Sequence, residues 1–301
     1  MAPDTVLRAT SVGEDGRATL GPGATRLLRM LDANFARWGA AVGADEYQFP
    51  PVVAVADLDQ MDYFDNFPHL VSPVSALDRT LMSGAGLADG IVADGLVAAS
   101  ALVDAGYVLP SAACYSAYFA MQDSTVENEA AKVTTVATCF RREDHYEGLR
   151  RLFGFTMREI ICIGARDAVL DHLSTFKARI SGFLDEVGIP HHVEIATDPF
   201  FDPNGARSKM QKLFPTKEEF LYDGKLAIAS VNFHRNFFGE RCRIRLPDGS
   251  PAFTGCVAFG LERWVCALGD LFTDTATIER RLSLASDWAL RPVDSTRECE
   301  Q

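Results

Sequence analysis

This 301-residue chain has no excess of positive charge, no long apolar run and no closely paired cysteines. It carries 29 Lys and Arg against 41 Asp and Glu, for a net charge of −12 and a pI near 5.0. Proteins that grip DNA or RNA through phosphate contacts are usually basic or carry a basic arm, so nucleic-acid binding is not the expected task. The apolar stretch Gly95–Val103 is closed by Asp94 and Asp104, well short of the ~20 residues that span a bilayer. The opening Met-Ala-Pro-Asp lacks the basic region and apolar core of a secretory signal, and a cytoplasmic address is expected. The 7 cysteines, an odd number, make no disulfide framework; in a reducing compartment they are free thiols or metal ligands. There is no internal repeat and no low-complexity segment.

With 48% hydrophobic residues the chain can bury a substantial core, as one large domain or two small ones. The stretch Cys139–Gly164 organises the rest. Val133–Thr138 and Glu159–Gly164 are apolar and β-branched, which predicts a hairpin with a long basic turn. Alternation along the first strand puts Cys139, Arg141 and Glu143 on one side, a cation and a carboxylate aimed into one space. A solvated surface hairpin accounts for those residues equally well.

Other elements follow from spacing. Leu28, Leu31, Phe35 and Trp38 predict a helix that stops at Gly43, followed by a proline-broken strand over Tyr47–Val53. A short hairpin is expected about Gly13–Gly16, an aromatic loop at Asp62–His69, and a flexible connection at Gly84–Gly95. An alanine-rich helix is expected to about Ala105, then a short strand at Tyr107–Pro110. Leu173, Phe176, Ile180, Phe183 and Val187 predict an amphipathic helix ending near Gly188. Strands are expected at His191–Ala196, Phe220–Tyr222, Leu226–His234 and Phe253–Phe259, with a turn at Pro247–Gly249 and a helix from Gly260. His191 and His192 are neighbours on a strand and point to opposite faces, which argues against joint metal binding. Together these predict an α+β fold, an antiparallel sheet flanked by helices.

Three features in order resemble class II aminoacyl-tRNA synthetases: a helix running into a proline-ended strand (Gly43–Pro51), Phe140-Arg141-Arg142-Glu143, and Gly260-Leu261-Glu262-Arg263. The nearer resemblance is to the catalytic core of the atypical, zinc-dependent seryl-tRNA synthetases. It extends to their truncated relatives, the amino acid:[carrier protein] ligases. It rests on Phe67-Pro68-His69, Ala113-Cys114-Tyr115, Cys139–Glu143, Phe155–Ile160, Asn232-Phe233-His234 and Phe238-Gly239, and covers nearly the whole chain. It implies a single synthetase-like catalytic domain over residues 1–301, with no separate tRNA-binding domain.

By that resemblance, Arg141 meets the α-phosphate of ATP, Glu143 the adenine amino group, Phe155 the adenine face and Arg263 the γ-phosphate. Lys217, Ser230 and Asn232 are placed on the ATP and metal side of the pocket. Zinc is implied on Cys114, Glu159 and Cys256, with Glu159 beside the substrate amino acid; Cys114 lies 27 residues before Arg141, and Cys256 lies 7 before Arg263. Read alone, such scattered residues are more often structural, and Cys139 competes with Cys114 for the ligand position. Cys162, Cys242, Cys266 and Cys299 read as structural or incidental. Magnesium is expected with ATP.

The implied activity is adenylation of a small amino acid, glycine or alanine, and its transfer to the phosphopantetheine thiol of a carrier protein. Arg207, Lys209 and Lys212 are the candidate dock for an acidic carrier, although a solvated helix face explains them too. A homodimer through the first helix and its strand is implied, with no membrane and no tRNA partner. The alternatives are a seryl-type tRNA synthetase and a catalytically silent relative acting as a binding module.

Overall fold

The computed structural model describes residues 6–83, 86–87 and 91–289. Its centre is a sheet of 7 strands: β1 (Asp45–Glu46), β2 (Ala130–Phe140), β3 (Gly154–Gly164), β4 (His191–Ile195), β5 (Lys217–Tyr222), β6 (Leu226–Arg235) and β7 (Phe253–Gly260), in the order β4-β5-β6-β7-β3-β2-β1. Every neighbouring pair is antiparallel except β1, which lies parallel to β2. Helices α1 (Pro22–Ala41), α2 (Arg166–Val187), α4 (Leu261–Leu271) and α5 (Thr275–Ala289) pack together on one face, and the short α3 (Ala206–Leu213) lies in the β4–β5 connection. This is the expected α+β arrangement. Among the described residues, no helix is long and apolar enough to cross a membrane.

The central hairpin is longer than its apolar runs suggest. β2 and β3 pair over 11 rungs, from Ala130 opposite Gly164 to Phe140 opposite Gly154, so Phe155 and Arg158 are strand residues rather than turn residues. The side chains obey the period of two. Ile160 and Cys162 of β3, with Val257 and Phe259 of β7, join the helix-side core, whereas Ile161, Ile163 and Cys256 face the other way. The helix-side core is an aromatic nest in which Phe35 stacks on Phe259 at 3.9 Å and Trp38 meets Phe183 edge-on at 5.1 Å.

α1 begins at Pro22, whose missing N–H costs nothing in a first turn. α2 ends at Gly188, which takes a left-handed φ of +85° and caps the helix through its N–H to the Leu184 carbonyl. Arg158, only 2% exposed, fastens α1 and β1 to the sheet. Its Nε and Nη2 donate to Asp32 at 2.7 and 3.0 Å, and its Nη1 donates to Glu46 at 2.8 Å.

Four expectations are corrected. Ala99–Ala101 is a single 3-10 turn and Leu102–Val108 a strand, paired with Pro73–Leu77 on one side and Val53–Ala54 on the other. Pairing on both edges overrides alanine's helix preference. The strand expected at Tyr47–Val53 is confined to Asp45–Glu46 and Val53–Ala54, because Pro50 and Pro51 supply no ladder donors. The Asp62–His69 loop contains a short helix, Tyr63–Asn66, and a 3-10 turn, Pro68–Leu70. The described part of the Gly84–Gly95 connection pairs in two minute hairpins; its residues 84–85 and 88–90, like Met1–Asp4 and Cys299, lie outside the described residues.

The unequal exposure of Arg158's partners gives a test. Asp32→Ala breaks a bidentate contact to a buried cation and should lower stability by about 3 kcal/mol. Glu46→Ala removes a mostly exposed partner and should cost less than about 1 kcal/mol. Urea titration of both variants measures the difference, and equal losses would refute it.

Candidate active site

Opposite the helices, four adjacent strands present one alternating face. Lys217, Asn232, Cys256 and Ile161 lie across one rung, and Glu219, Ser230, Ala258 and Glu159 across another. Above this face is a chamber of about 550 Å³, walled by Tyr63, Tyr115, Phe200, Phe214, Phe237 and Phe238. A smaller one of about 80 Å³ adjoins it, bounded by Glu143, Phe155, Glu219 and Arg263. Arg141, Met157, Lys217, Ser230 and Ala258 border both, so the two are compartments of one site.

In the large chamber the Cys114 and Cys256 sulfurs and a Glu159 oxygen lie within 4.8 Å of one another, all three residues buried. Cys114 comes from the loop before the helix Tyr115–Ala120, and the other two from strands. Glu159 Oε1 accepts the Ala113 and Cys114 N–H groups at 2.9 and 3.1 Å, while its Oε2 is buried with no hydrogen-bond partner among the described residues. The Cys114 thiol is raised well above its ordinary pKa by its hydrogen bond to Cys256 and then by burial. At Cys256 the bond from Cys114 lowers the value, but burial beside Glu159 outweighs it and the thiol reaches about 11. An orphaned carboxylate oxygen beside two buried sulfurs is a donor set that fits a borderline-soft divalent cation such as zinc. Cys139, also buried, feels the charge of Glu159 and Arg141 but lines neither chamber and stands outside the trio.

The smaller chamber is cationic. β2 ends at Phe140, one residue before Arg141, yet Arg141 N still donates to the Phe153 carbonyl at 2.9 Å and holds the chain in line. The Arg141 guanidinium lies 5.1 Å over the Phe155 ring and donates to the Ser111 carbonyl. Arg263, in the first turn of α4, donates to the Arg150 and Ala227 carbonyls, each at 2.9 Å. Among the described residues neither arginine is ion-paired. Burial, then the positive charge of Arg141, pulls Arg263 below its ordinary pKa. Glu143 borders the same space but is ion-paired to Arg151.

Lys217 sits at the junction, with Asp198 at 3.2 Å and Glu219 at 3.0 Å. Burial pulls the lysine down, but these two carboxylates hold it above its ordinary value. Burial pushes Asp198 up, yet Lys217 and Gln211 bring it below the usual carboxylate range. Asp198 was not singled out in the sequence. The signal was available in the strand spacing: the β4–β5 register brings Ala196 opposite Lys217, which leaves Asp198 just beyond it. Asn232 Nδ2 donates to Ser230 Oγ at 3.0 Å.

Of the basic cluster, Lys209 and Lys212 are exposed on α3. Arg207 is tied to Asp62, lies 5.3 Å over Phe237 and lines the large chamber.

Comparisons with known proteins show the family. Residues 103–272 match the family model of the class II tRNA synthetase core domain (G, H, P, S and T). The chain is 34% identical over 236 residues to amino acid–[acyl-carrier-protein] ligase 1 of Bradyrhizobium diazoefficiens, covering 75% of this chain and 71% of that protein. It belongs to the amino acid–[acyl-carrier-protein] ligases. Ligase 2 of the same organism is 33% identical, with 73% and 68% covered. In fold, this ligase is similar to the M. kandleri seryl-tRNA synthetase solved with A. aeolicus tRNASec. The TM-score is 0.75 at 19% identity, covering 98% of this chain and 62% of that one.

Two desolvated histidines of the ligase, His172 buried and His234 half-buried, give the site and its support a pH dependence. Burial lowers His172 on α2 and His234 beside the trio to about 4 from 6.5. A depressed histidine stabilises the fold fully above its unfolded pKa, and that stability is lost as pH falls through 6.5 toward 4. The urea midpoint should therefore drop across this window, and His172→Leu should flatten part of the slope. An unchanged slope would count against the buried neutral state of His172.

Proposed function

We propose that this chain activates a small amino acid with ATP and transfers the aminoacyl group to the phosphopantetheine thiol of a carrier protein. The observation that carries this reading is Arg141, a guanidinium without an ion-pair partner among the described residues, shared by a sulfur- and carboxylate-bearing chamber and a cationic one. A reaction joining a carboxylate to an α-phosphate needs a fixed positive charge where the two meet.

In the first step the amino acid's carboxylate oxygen attacks the α-phosphorus. The bond from that phosphorus to the oxygen bridging to the β-phosphate breaks, and pyrophosphate leaves. Arg141 offsets charge at the α-phosphate, Arg263 holds the γ end, and Phe155 offers its ring to the adenine. Glu143 borders the nucleotide space and is the residue assigned to the adenine amino group; Arg151 holds its carboxylate. Lys217 and Ser230 line the floor shared by the chambers, and Asn232 lines the large one. In the second step the carrier's thiol, losing its proton, attacks the carbonyl carbon. The bond to AMP breaks, leaving a thioester.

Cys114, Glu159 and Cys256 would hold zinc. When bound, the ion supplies a Lewis-acidic centre with a position left for a neutral amine. Glycine or alanine is the proposed substrate, in the chamber that Met61, Tyr115 and Phe238 line with the trio. Magnesium would accompany ATP. Lys209 and Lys212, exposed on the helix whose Met210 borders the chamber mouth, suit docking of an acidic carrier. A homodimer through α1 and β1 is part of the same proposal.

The test is amino-acid-dependent ATP–pyrophosphate exchange, followed by transfer assays with a phosphopantetheinylated carrier and with tRNA. Exchange with glycine or alanine and transfer to the carrier are expected; no exchange with any amino acid, or charging of tRNA alone, would overturn the reading. Arg141→Ala should cut exchange by roughly 100- to 1,000-fold. Cys114→Ala and Cys256→Ala should each lose the metal, and one zinc per chain in either variant would refute the trio. Reversing charge at Lys209 and Lys212 should weaken carrier aminoacylation at least about tenfold and leave exchange intact. Sedimentation as a monomer would remove the dimer.

A further inference from the structure

The two sulfurs of the trio are not equivalent. Around Cys256 two nitrogens converge: Asn232 Nδ2 donates to its Sγ at 3.5 Å, and His234 Nε2 lies 3.8 Å from it. The strand pairing and a break in it bring them together. Asn232 stands directly across from Cys256 on the neighbouring strand, and His234 is the extra residue where the register shifts between Phe233 and Arg235. His234 is not a fourth member of the trio, because its ring nitrogens fall outside the group whose donor atoms lie within 4.8 Å of one another.

The other ring nitrogen, Nδ1, faces two hydroxyls, Tyr118 Oη at 3.2 Å and Thr254 Oγ1 at 3.4 Å. Tyr118 and Thr254 are wholly buried. Either hydroxyl can donate to Nδ1, and a neutral imidazole that accepts at Nδ1 carries its proton on Nε2. That proton then points at the Cys256 sulfur. The ring is held from the side as well, edge-on to Phe238 at 5.0 Å.

We infer that Asn232 and His234 are positioning residues that hydrogen-bond the Cys256 thiolate when a metal occupies the trio, with Tyr118 and Thr254 fixing the His234 tautomer. Two hydrogen bonds to one sulfur stabilise its deprotonated, metal-binding form, and they also draw electron density from it and moderate its charge donation to the ion. The ion becomes more electrophilic toward a fourth ligand, and the sulfur is locked in one orientation. Cys114 plays the complementary part: the Ala113 and Cys114 N–H groups are bonded to Glu159, so that side is held through the backbone. This rests on the trio holding a divalent cation, and the experiment separates the two claims.

The zinc affinity of the purified full chain is measured by competition with a chromophoric chelator, and the thiolate-to-cobalt charge-transfer band is recorded after cobalt substitution. His234→Phe should weaken zinc roughly 10- to 100-fold and move the cobalt band to longer wavelength, because a thiolate freed of its donors gives up electrons more readily. Tyr118→Phe keeps the ring packed against Phe238 and removes only the hydroxyl; it should shift the band in the same direction by less. His234→Gln, whose amide can accept from Tyr118 and donate to sulfur, should restore much of the affinity and the band position. Unchanged affinity and an unchanged band in both the His234→Phe and Tyr118→Phe variants would overturn the inference while leaving the trio intact. Failure of the parent chain to bind zinc or cobalt would overturn the trio and this inference together.

Discussion

The site depends on the alternation of two neighbouring residues, Arg158 and Glu159. Arg158 points to the helix side, where Asp32 and Glu46 hold it, and Glu159 therefore points into the chamber. A slip of one residue in the β2–β3 register would exchange the two, placing a carboxylate in the aromatic core and a guanidinium among the sulfurs. Both misplacements bury a charge away from its partners, which is costly enough to specify the register. The 11 rungs of β2 and β3 transmit that constraint to Phe155 and, through Phe140, to Arg141. The ion cluster behind the sheet thus aligns the residues of both chambers at once.

Charge within the molecule is distributed against its total. A chain of net charge −12 should repel an anion such as ATP, yet the small chamber holds Arg141 and Arg263 with no ion pair of their own among the described residues. Carbonyl oxygens of Ser111, Arg150 and Ala227 orient these side chains without neutralising them. That arrangement differs from Lys217, whose charge is met by Asp198 and Glu219. The paired lysine is suited to holding the floor of the site together, and the unpaired arginines to meeting an anion. Placement at the start of α4 adds the favourable field of a helix N-terminus at Arg263.

Much of this was legible in the sequence because it follows from periods of 2 and 3.6. The strands that carry Glu159, Asn232 and Cys256, the helix over Leu173–Val187, and the helix opening at Gly260 were readable from hydrophobic spacing. What could not be read depends on pairing at a distance. The strand at Leu102–Val108 has a helical composition and is extended only because two other segments flank it. Asp198 lies in a loop with no periodicity and reaches the site by the β4–β5 register alone. Cys139 was expected to face the site by simple alternation; it shares the right side of the strand but is covered, since alternation gives direction and not exposure.

Glu159 also explains how a loop and a sheet come to share one donor set. Cys114 belongs to no strand, so nothing in the sheet's register places its sulfur. What places it is Glu159 Oε1, which takes the N–H groups of Ala113 and Cys114 and so draws the loop onto the sheet. The same carboxylate leaves Oε2 unpartnered toward the two sulfurs. One oxygen builds the site and the other belongs to it. Replacing the carboxylate would then cost more than one donor, because the loop that carries Cys114 would lose its anchor as well. Asparagine or alanine there cannot span the distance, and glutamine would present an amide N–H in place of one acceptor. The requirement for a full carboxylate at this one strand position follows from the geometry of the loop as much as from the chemistry of an ion.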